Sequence, residues 1–313
     1  MSFTPPKESF SGKVFPVEIG TGDKAATFGG ENVLPFHAFE GEIPNKPLIA
    51  YEIQDTVPED WPETVKKVFE GVSDDPVKWA KHCENELKAD AIALRLVSTH
   101  PDGENRSADD AARTVKDVLD AISVPLIILG SNHVEKDSEV LVKAAEVAKD
   151  RNCVIGKAQE ANYKTIAAAA MANNHKVIAM SELDINLSKQ LNILITQMGF
   201  DNARIITDPM CSALGYGIEY TYSVMERIRL AALAQNDTTM QPPIMADVGM
   251  YVWKIKETQA PEADLPDWGS LKERGVSWEA VTAASLMISG AELLIMRHPD
   301  AVDAVRSFID ELA

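Results

Sequence analysis

Short apolar runs recur along the chain, each ended by polar residues and followed by a stretch with helical spacing of its apolar positions. Runs of this kind read as strands buried on both faces of a parallel sheet. In chain order they predict strands at 48–52, 91–97, 125–129, 153–156, 175–180, 204–207, 243–247 and 290–296. Helices are expected at 61–70 and 76–88, then at 108–121, 137–149, 163–173, 185–198, 218–234, 278–289 and 300–312. The punctuation agrees with these bounds. Asp75 precedes Pro76, Ser107 and Asp184 stand at helix starts, Asp137 reads as a further cap, and Gly199 is a stop.

Unbroken alternation of strand and helix predicts an α/β protein with the (β/α)8 TIM-barrel architecture. A doubly wound open sheet is the alternative. It would place a glycine fingerprint after its first strand, whereas Gln54, Asp55 and Thr56 stand there. Residues 13–19 alternate and face 24–28 across a Gly-Thr-Gly turn, which predicts a hairpin that would close the barrel bottom. The expected organisation is therefore an N-terminal extension, 1–46, and a barrel, 47–313. Gly20 and Gly22 open no helix, so they do not form a dinucleotide fingerprint. The stretch 248–269, with Tyr251, Trp253 and Trp268, reads as a long loop, either a lid over the barrel's own apolar surface or a docking surface.

Composition narrows the partners. Lys and Arg number 30 against 48 Asp and Glu, a net charge of −18. That excess disfavours nucleic acid and anionic membranes as partners. No apolar run reaches the roughly 18 residues of a membrane span. The first residues lack a basic segment followed by an apolar one, so a cytoplasmic location is expected. The three cysteines, Cys83, Cys153 and Cys211, are far apart, which disfavours a disulfide framework, and they are too few for a four-cysteine iron–sulfur site within this chain. Cys153 is expected to be a buried strand residue, His175 structural, and His37 packed against Phe36 and Phe39. No G-x-S-x-G elbow, phosphate loop or zinc-type His/Cys pair is present.

Barrels bind ligands at the C-terminal ends of their strands. The candidates there are Thr99, Ser131, Asn132, Asp184, Asp208, Met210, Gly215, Tyr216, Asp247 and Gly249. Asp208 and Asp247 stand out because each ends an apolar strand and precedes a glycine-bearing loop. Each polar group also has a plain role available, solvating a strand end or capping the next helix. No residue is assigned a catalytic or metal-ligating role.

Three motifs carry a family resemblance. They are Asp208-Pro209-Met210 followed by Leu214-Gly215-Tyr216-Gly217-Ile218-Glu219-Tyr220-Thr221-Tyr222-Ser223, then Met245-Ala246-Asp247-Val248-Gly249, and Val17-Glu18-Ile19-Gly20. With them the chain resembles, over its whole length, the small subunit of the corrinoid iron–sulfur protein, the delta subunit of acetyl-CoA decarbonylase/synthase complexes. The resemblance implies a heterodimer with a large subunit that carries a [4Fe–4S] cluster and a cobalamin domain. The corrinoid would lie between that domain and this barrel's mouth. Its methyl group would come from methyltetrahydrofolate through a separate methyltransferase, and would pass to acetyl-CoA synthase in the reductive acetyl-CoA pathway. This subunit would then position and shield a cofactor whose chemistry lies elsewhere. Two other readings are a free-standing pterin-binding methyltransferase barrel, in which Asn132, Asp184, Asp208 and Asp247 would grip the pterin, and a barrel with no ligand contact.

Overall fold

The computed structural model describes residues 6–312. Strands β1 (Val17–Ile19) and β2 (Ala26–Phe28) pair antiparallel as a short hairpin. Eight parallel strands follow: β3 (Leu48–Gln54), β4 (Ala91–Arg95), β5 (Leu126–Leu129), β6 (Val154–Ala158), β7 (Lys176–Met180), β8 (Ile205–Asp208), β9 (Ile244–Ala246) and β10 (Ala291–Met296). They close into a barrel in chain order, β10 pairing with β3.

The helices are α1 (Glu63–Lys66), α2 (Pro76–Asn85), α3 (Ala108–Ala121), α4 (Val134–Val147), α5 (Tyr163–Ala172), α6 (Ile185–Gln197), α7 (Ile218–Leu233), α8 (Val248–Val252), α9 (Leu271–Ile288) and α10 (Pro299–Leu312). Asp75, Ser107 and Asp184 cap α2, α3 and α6 as expected, each side chain accepting a backbone N–H. Asp137 is not a cap. The cap of α4 is His133, and the helix starts three residues before the expected point. Helix α9 begins at Leu271, well before Trp278, because Ser270 and Glu273 form a capping box. The stretch expected as a loop after β9 holds α8 and three 3-10 turns. Its Trp253 is buried and stacks on His298, while Trp268 is exposed and stacks on Trp278. Among the described residues no helix is long and apolar enough to cross a membrane.

Alternation along the strands separates two cores. Ile49, Tyr51 and Ile53 face outward to the helices, whereas Leu48 and Ala50 face the barrel interior. Ala91, Ala93, Ile127, Leu129, Ile206, Met245, Leu293 and Ile295 join them inside, with Val17, Ile19 and Phe28 of the hairpin. The hairpin thus fills the N-terminal end. Asn152 pins it there, its side chain donating to the carbonyls of Glu18 and Gly20. His175 is buried and structural: Nδ1 accepts from the Cys153 backbone and Nε2 lies 2.9 Å from the Ala145 carbonyl oxygen. Cys153 is buried, as are the other two cysteines. His37 is not packed in the core. It is half-exposed against the exposed Phe39 and lies 3.0 Å from Glu40.

Candidate functional site

The alternation that builds the apolar interior ends in charge at the mouth. Glu52 continues the inward face of Leu48 and Ala50, and Arg95 that of Ala91 and Ala93. Asp208 follows Ile206, Asp247 follows Met245, and Arg297 follows Ile295 at the same two-residue step. Lys157 would point outward in a regular strand. The β6–β7 register slips between Ile155 and Ala158, and Lys157 reaches the axis.

These six side chains form a linear chain of alternating sign. Arg297 donates to both oxygens of Glu52, Nε to Oε2 at 2.9 Å and Nη2 to Oε1 at 3.0 Å. Glu52 Oε1 also accepts from Arg95 Nε at 2.8 Å. Arg95 Nη2 donates to both oxygens of Asp247, at 3.0 and 2.8 Å. Lys157 Nζ lies 2.8 Å from Asp247 Oδ2 and 2.9 Å from Asp208 Oδ2. The second contact is an ion pair without hydrogen-bond direction, so Asp208 Oδ2 lacks a hydrogen-bond partner among the described residues, as does Arg95 Nη1. Asp208 Oδ1 accepts from the Met210 backbone at 2.9 Å.

All six are buried, and three positive charges balance three negative ones. Burial raises the Asp247 carboxyl, but the Arg95 and Lys157 charges outweigh it and hold the group well below the usual carboxylate range. Glu52 is likewise raised by burial and pulled below normal by Arg297 and Arg95. Burial opposes the Lys157 charge, which Asp208 and Asp247 more than restore. Glu279 on α9 supports the end of the chain, accepting from the backbone N–H of Arg297 at 2.7 Å and of His298 at 3.0 Å. Burial pushes its carboxyl up to about 7, against those two donors. Arg297 also lies 4.4 Å from the Trp61 ring centroid.

The expected site residues divide between this plug and its rim. Asp208 and Asp247 are fully buried within it. Gly249 lies beneath the rim, against Arg297 and Glu279, where its missing side chain leaves room for them. Thr99 is turned inward, buried, with its hydroxyl donating to the Leu96 carbonyl. Asp184 is occupied in capping α6. Ser131 is half-buried, and the Asp137 carboxylate holds its backbone and hydroxyl together with the Asn132 backbone. Burial raises Asp137, opposed by those donors.

Asn132 itself is exposed and left-handed at φ 70, with its amide 3.8 Å from Met250 sulfur. Gly215 and Tyr216 are exposed on the loop before α7, where the Tyr216 hydroxyl donates to Glu257 at 2.6 Å. Met210, Tyr216, Tyr251 and Lys254 line a rim cavity of ≈ 420 Å³. Tyr220, 64% exposed, extends the aromatic surface. At the opposite rim His100 and His133 meet edge to face. Both Nδ1 atoms accept backbone N–H groups, so in the neutral rings the proton sits on Nε2.

Glu52, Arg95, Lys157, Arg297 and Glu279 were not among the expected site residues. The signal for the first two was present: a charged residue inside an otherwise apolar strand, two steps beyond inward-facing small residues. Among the described residues no group of three or more His, Cys, Asp and Glu side chains could hold a metal ion.

A closed parallel barrel with its polar groups gathered at the C-terminal mouth defines a TIM-barrel protein, and solved structures agree. The chain is similar to a dihydropteroate synthase from Xanthomonas albilineans with 4-aminobenzoic acid, at TM-score 0.58 and 15% identity, over 87% of this chain and 95% of that one. A dihydropteroate synthase from Thermus thermophilus is similar at TM-score 0.56 and 12% identity, over 94% and 98%. Sequence comparison is more specific. The family described as CO dehydrogenase/acetyl-CoA synthase delta subunit matches residues 16–307. Acetyl-CoA decarbonylase/synthase complex subunit delta 1 of Methanosarcina thermophila is 38% identical over 298 residues, 94% of this chain and 67% of that longer protein. The delta subunit of Archaeoglobus fulgidus is 35% identical over 323 aligned positions, 99% of this chain and 71% of that protein. The chain belongs to the delta-subunit family of CO dehydrogenase/acetyl-CoA synthase complexes.

Proposed function

We propose that this chain is the smaller subunit of a heterodimeric methyl carrier, and that its mouth covers a cobalamin held mainly by a larger, cluster-bearing partner. The observation that carries this reading is the state of the mouth. Both central aspartates are already committed to Arg95 and Lys157, while the surrounding rim is exposed, aromatic and hydrogen-bonding. That surface suits a broad, flat, amide-fringed ligand presented by another protein better than a small substrate gripped in a pocket.

On this reading Asn132 and Tyr216 offer hydrogen bonds to amide arms, while Met210 and Gly215 lie against the macrocycle. Asp208 and Asp247 lie beneath that surface, buried in the ion chain. The cobalt centre would supply the methyl-carrying chemistry. The methyl group would enter through a methyltetrahydrofolate:corrinoid methyltransferase and leave to acetyl-CoA synthase, within a cytoplasmic reductive acetyl-CoA pathway. The [4Fe–4S] cluster belongs to the partner.

The likeness in fold to dihydropteroate synthases supports a second reading, a pterin-binding methyltransferase acting alone. It requires Asp247 to release its ion pairs before it can grip a pterin.

Native purification distinguishes the two. The expected result is a two-subunit complex with corrinoid and iron, whose corrinoid is lost when this chain is separated. Isolated chain that binds a folate and methylates free cobalamin would overturn the carrier reading.

A further inference from the structure

We propose that a crevice on the outer rim of the mouth is a docking socket for a basic side chain of a partner protein, a guanidinium on its apolar stem. The crevice, ≈ 510 Å³, lies between the turn after β6, the turn after β7 and one face of α6. Leu187, Leu191 and Leu194 give it an apolar floor at helical spacing. Leu187 leaves 44% of its surface open. The charged groups of the lining are Glu160 and Glu182, both exposed, and among the described residues no Lys, Arg or His lines it.

Ser181 adds an independent sign of a missing ligand. It is 6% exposed, it lines the crevice, and its hydroxyl has no hydrogen-bond partner among the described residues. A buried hydroxyl left without a partner is costly and is satisfied in most folded proteins. The turn that carries it is held from β8: Ser181 N–H donates to the Asp208 carbonyl at 2.9 Å, and Leu183 N–H to that of Pro209 at 3.1 Å. Leu183 takes φ 49, a conformation uncommon for leucine, which the surroundings maintain.

These features select one ligand chemistry. Phosphates and nucleic acids would meet two carboxylates. A wholly apolar group would bury those carboxylates without compensation. A hydrated metal ion has no use for a leucine floor. A guanidinium is planar and weakly hydrated, and it can donate to two carboxylates and a hydroxyl while its methylenes lie on leucine. The net charge of −18 draws a basic partner from a distance. The socket stands beside the mouth, and its assignment does not depend on the corrinoid reading.

The first test is an NMR titration of the full chain with butylguanidinium, using the neutral isostere butylurea at matched ionic strength as control. Saturable shifts confined to Ser181 and α6 are expected, with butylurea and the Glu160→Gln/Glu182→Gln variant each about fivefold weaker. Leu187→Arg, a change at an exposed position, should place a cation in the socket and abolish the titration with the melting temperature unchanged. Absence of saturable shifts at Ser181, or equal binding of butylurea, overturns the site. In the native complex, Glu160→Lys/Glu182→Lys should weaken association of the partner about tenfold at low salt. Unchanged association overturns the docking role.

Discussion

Arg95 and Asp247 stand 152 positions apart in the chain, yet the Nη2 of one donates to both carboxylate oxygens of the other at 3.0 and 2.8 Å. Each reaches the barrel axis by the same rule, two residues beyond an inward-facing apolar side chain. The barrel therefore converts a strand-level alternation into a salt-bridge chain across its mouth. Desolvating charges is costly, and the pairing offsets that cost only while every member has its partner. The mouth is consequently rigid at its centre and chemically occupied. What remains free to meet another molecule is the rim.

Removing one charge should cost much more than removing a matched pair. Asp247→Asn leaves Arg95 and Lys157 without their shared partner and is expected to destabilise by about 3–5 kcal/mol. Lys157→Met alone leaves Asp208 and Asp247 without their ammonium. The double variant Lys157→Met/Asp208→Asn removes one charge of each sign from the end of the chain and leaves two opposed pairs. Urea unfolding should show the double variant to be more stable than Lys157→Met. Additive losses would show that the six charges do not act as one balanced unit.

Glu279 gives the fold a pH dependence of defined sign. Its ordinary value is 4.5, and burial raises it to about 7 in the folded chain. The native state therefore binds this proton more tightly than the unfolded state does. The contribution of Glu279 to stability falls as pH rises from about 4.5 to 7, and the loss is complete above that window. Glu279→Gln keeps a carbonyl oxygen as acceptor for a backbone N–H and cannot ionise. Relative to the parent, the variant should gain on the order of 2–3 kcal/mol between pH 4.5 and 8 in chemical denaturation. A pH-independent difference would contradict the assignment.

Two glycines of the motifs serve different ends, and alanine separates them. A Cβ at Gly249 would lie 2.7 Å from Arg297 Cγ and 3.2 Å from Glu279 Oε1. Gly249→Ala should displace Arg297 and cost about 1–3 kcal/mol by overpacking. At Gly215 the nearest outside atom is 3.9 Å away, but φ is 78. Gly215→Ala should cost only about 1 kcal/mol, from the left-handed backbone alone. Thermal unfolding of both variants, with the Arg297 and Glu279 substitutions as background, checks the ordering.

The barrel was legible because buried parallel strands leave a dense local signal. Apolar runs such as 126–129 need no knowledge of their neighbours. Asp208 and Asp247 were legible because each ends such a run. Glu52 and Arg95 carried the same two-residue rule, yet sit inside runs that otherwise read as uniformly apolar. Lys157 was visible only as a strand-end residue, because its inward reach depends on the slip between β6 and β7. The role of Glu279 was hidden for another reason. It lies in mid-helix on α9 and acts on a strand end 18 residues away. The start of α9 itself was written in Ser270 and Glu273, a capping box whose partners lie three residues apart. Asp137 was misread by the position of the helix start. Once α4 begins at Val134, the carboxylate is free to turn back onto Ser131 and Asn132.

The rim offers the sharpest test of what the mouth covers. Asn132 and Tyr216 are exposed, and neither belongs to the ion chain. Asn132→Ala removes an amide that makes a weak hydrogen bond to Met250 sulfur. Tyr216→Ala removes the hydrogen bond to Glu257 and an aromatic face. Exposed changes of this kind cost little stability, so melting temperatures of the isolated chain should move by no more than a few degrees. On the carrier reading, the native complex of each variant should lose corrinoid several-fold faster on dialysis, followed by the visible spectrum and cobalt content, while iron content stays constant. Tyr216→Phe separates the two contributions at that position. Retention equal to the parent assigns the effect to the ring, and retention equal to Tyr216→Ala assigns it to the hydroxyl. Parental cobalt retention in both alanine variants would mean that the cofactor does not meet this rim.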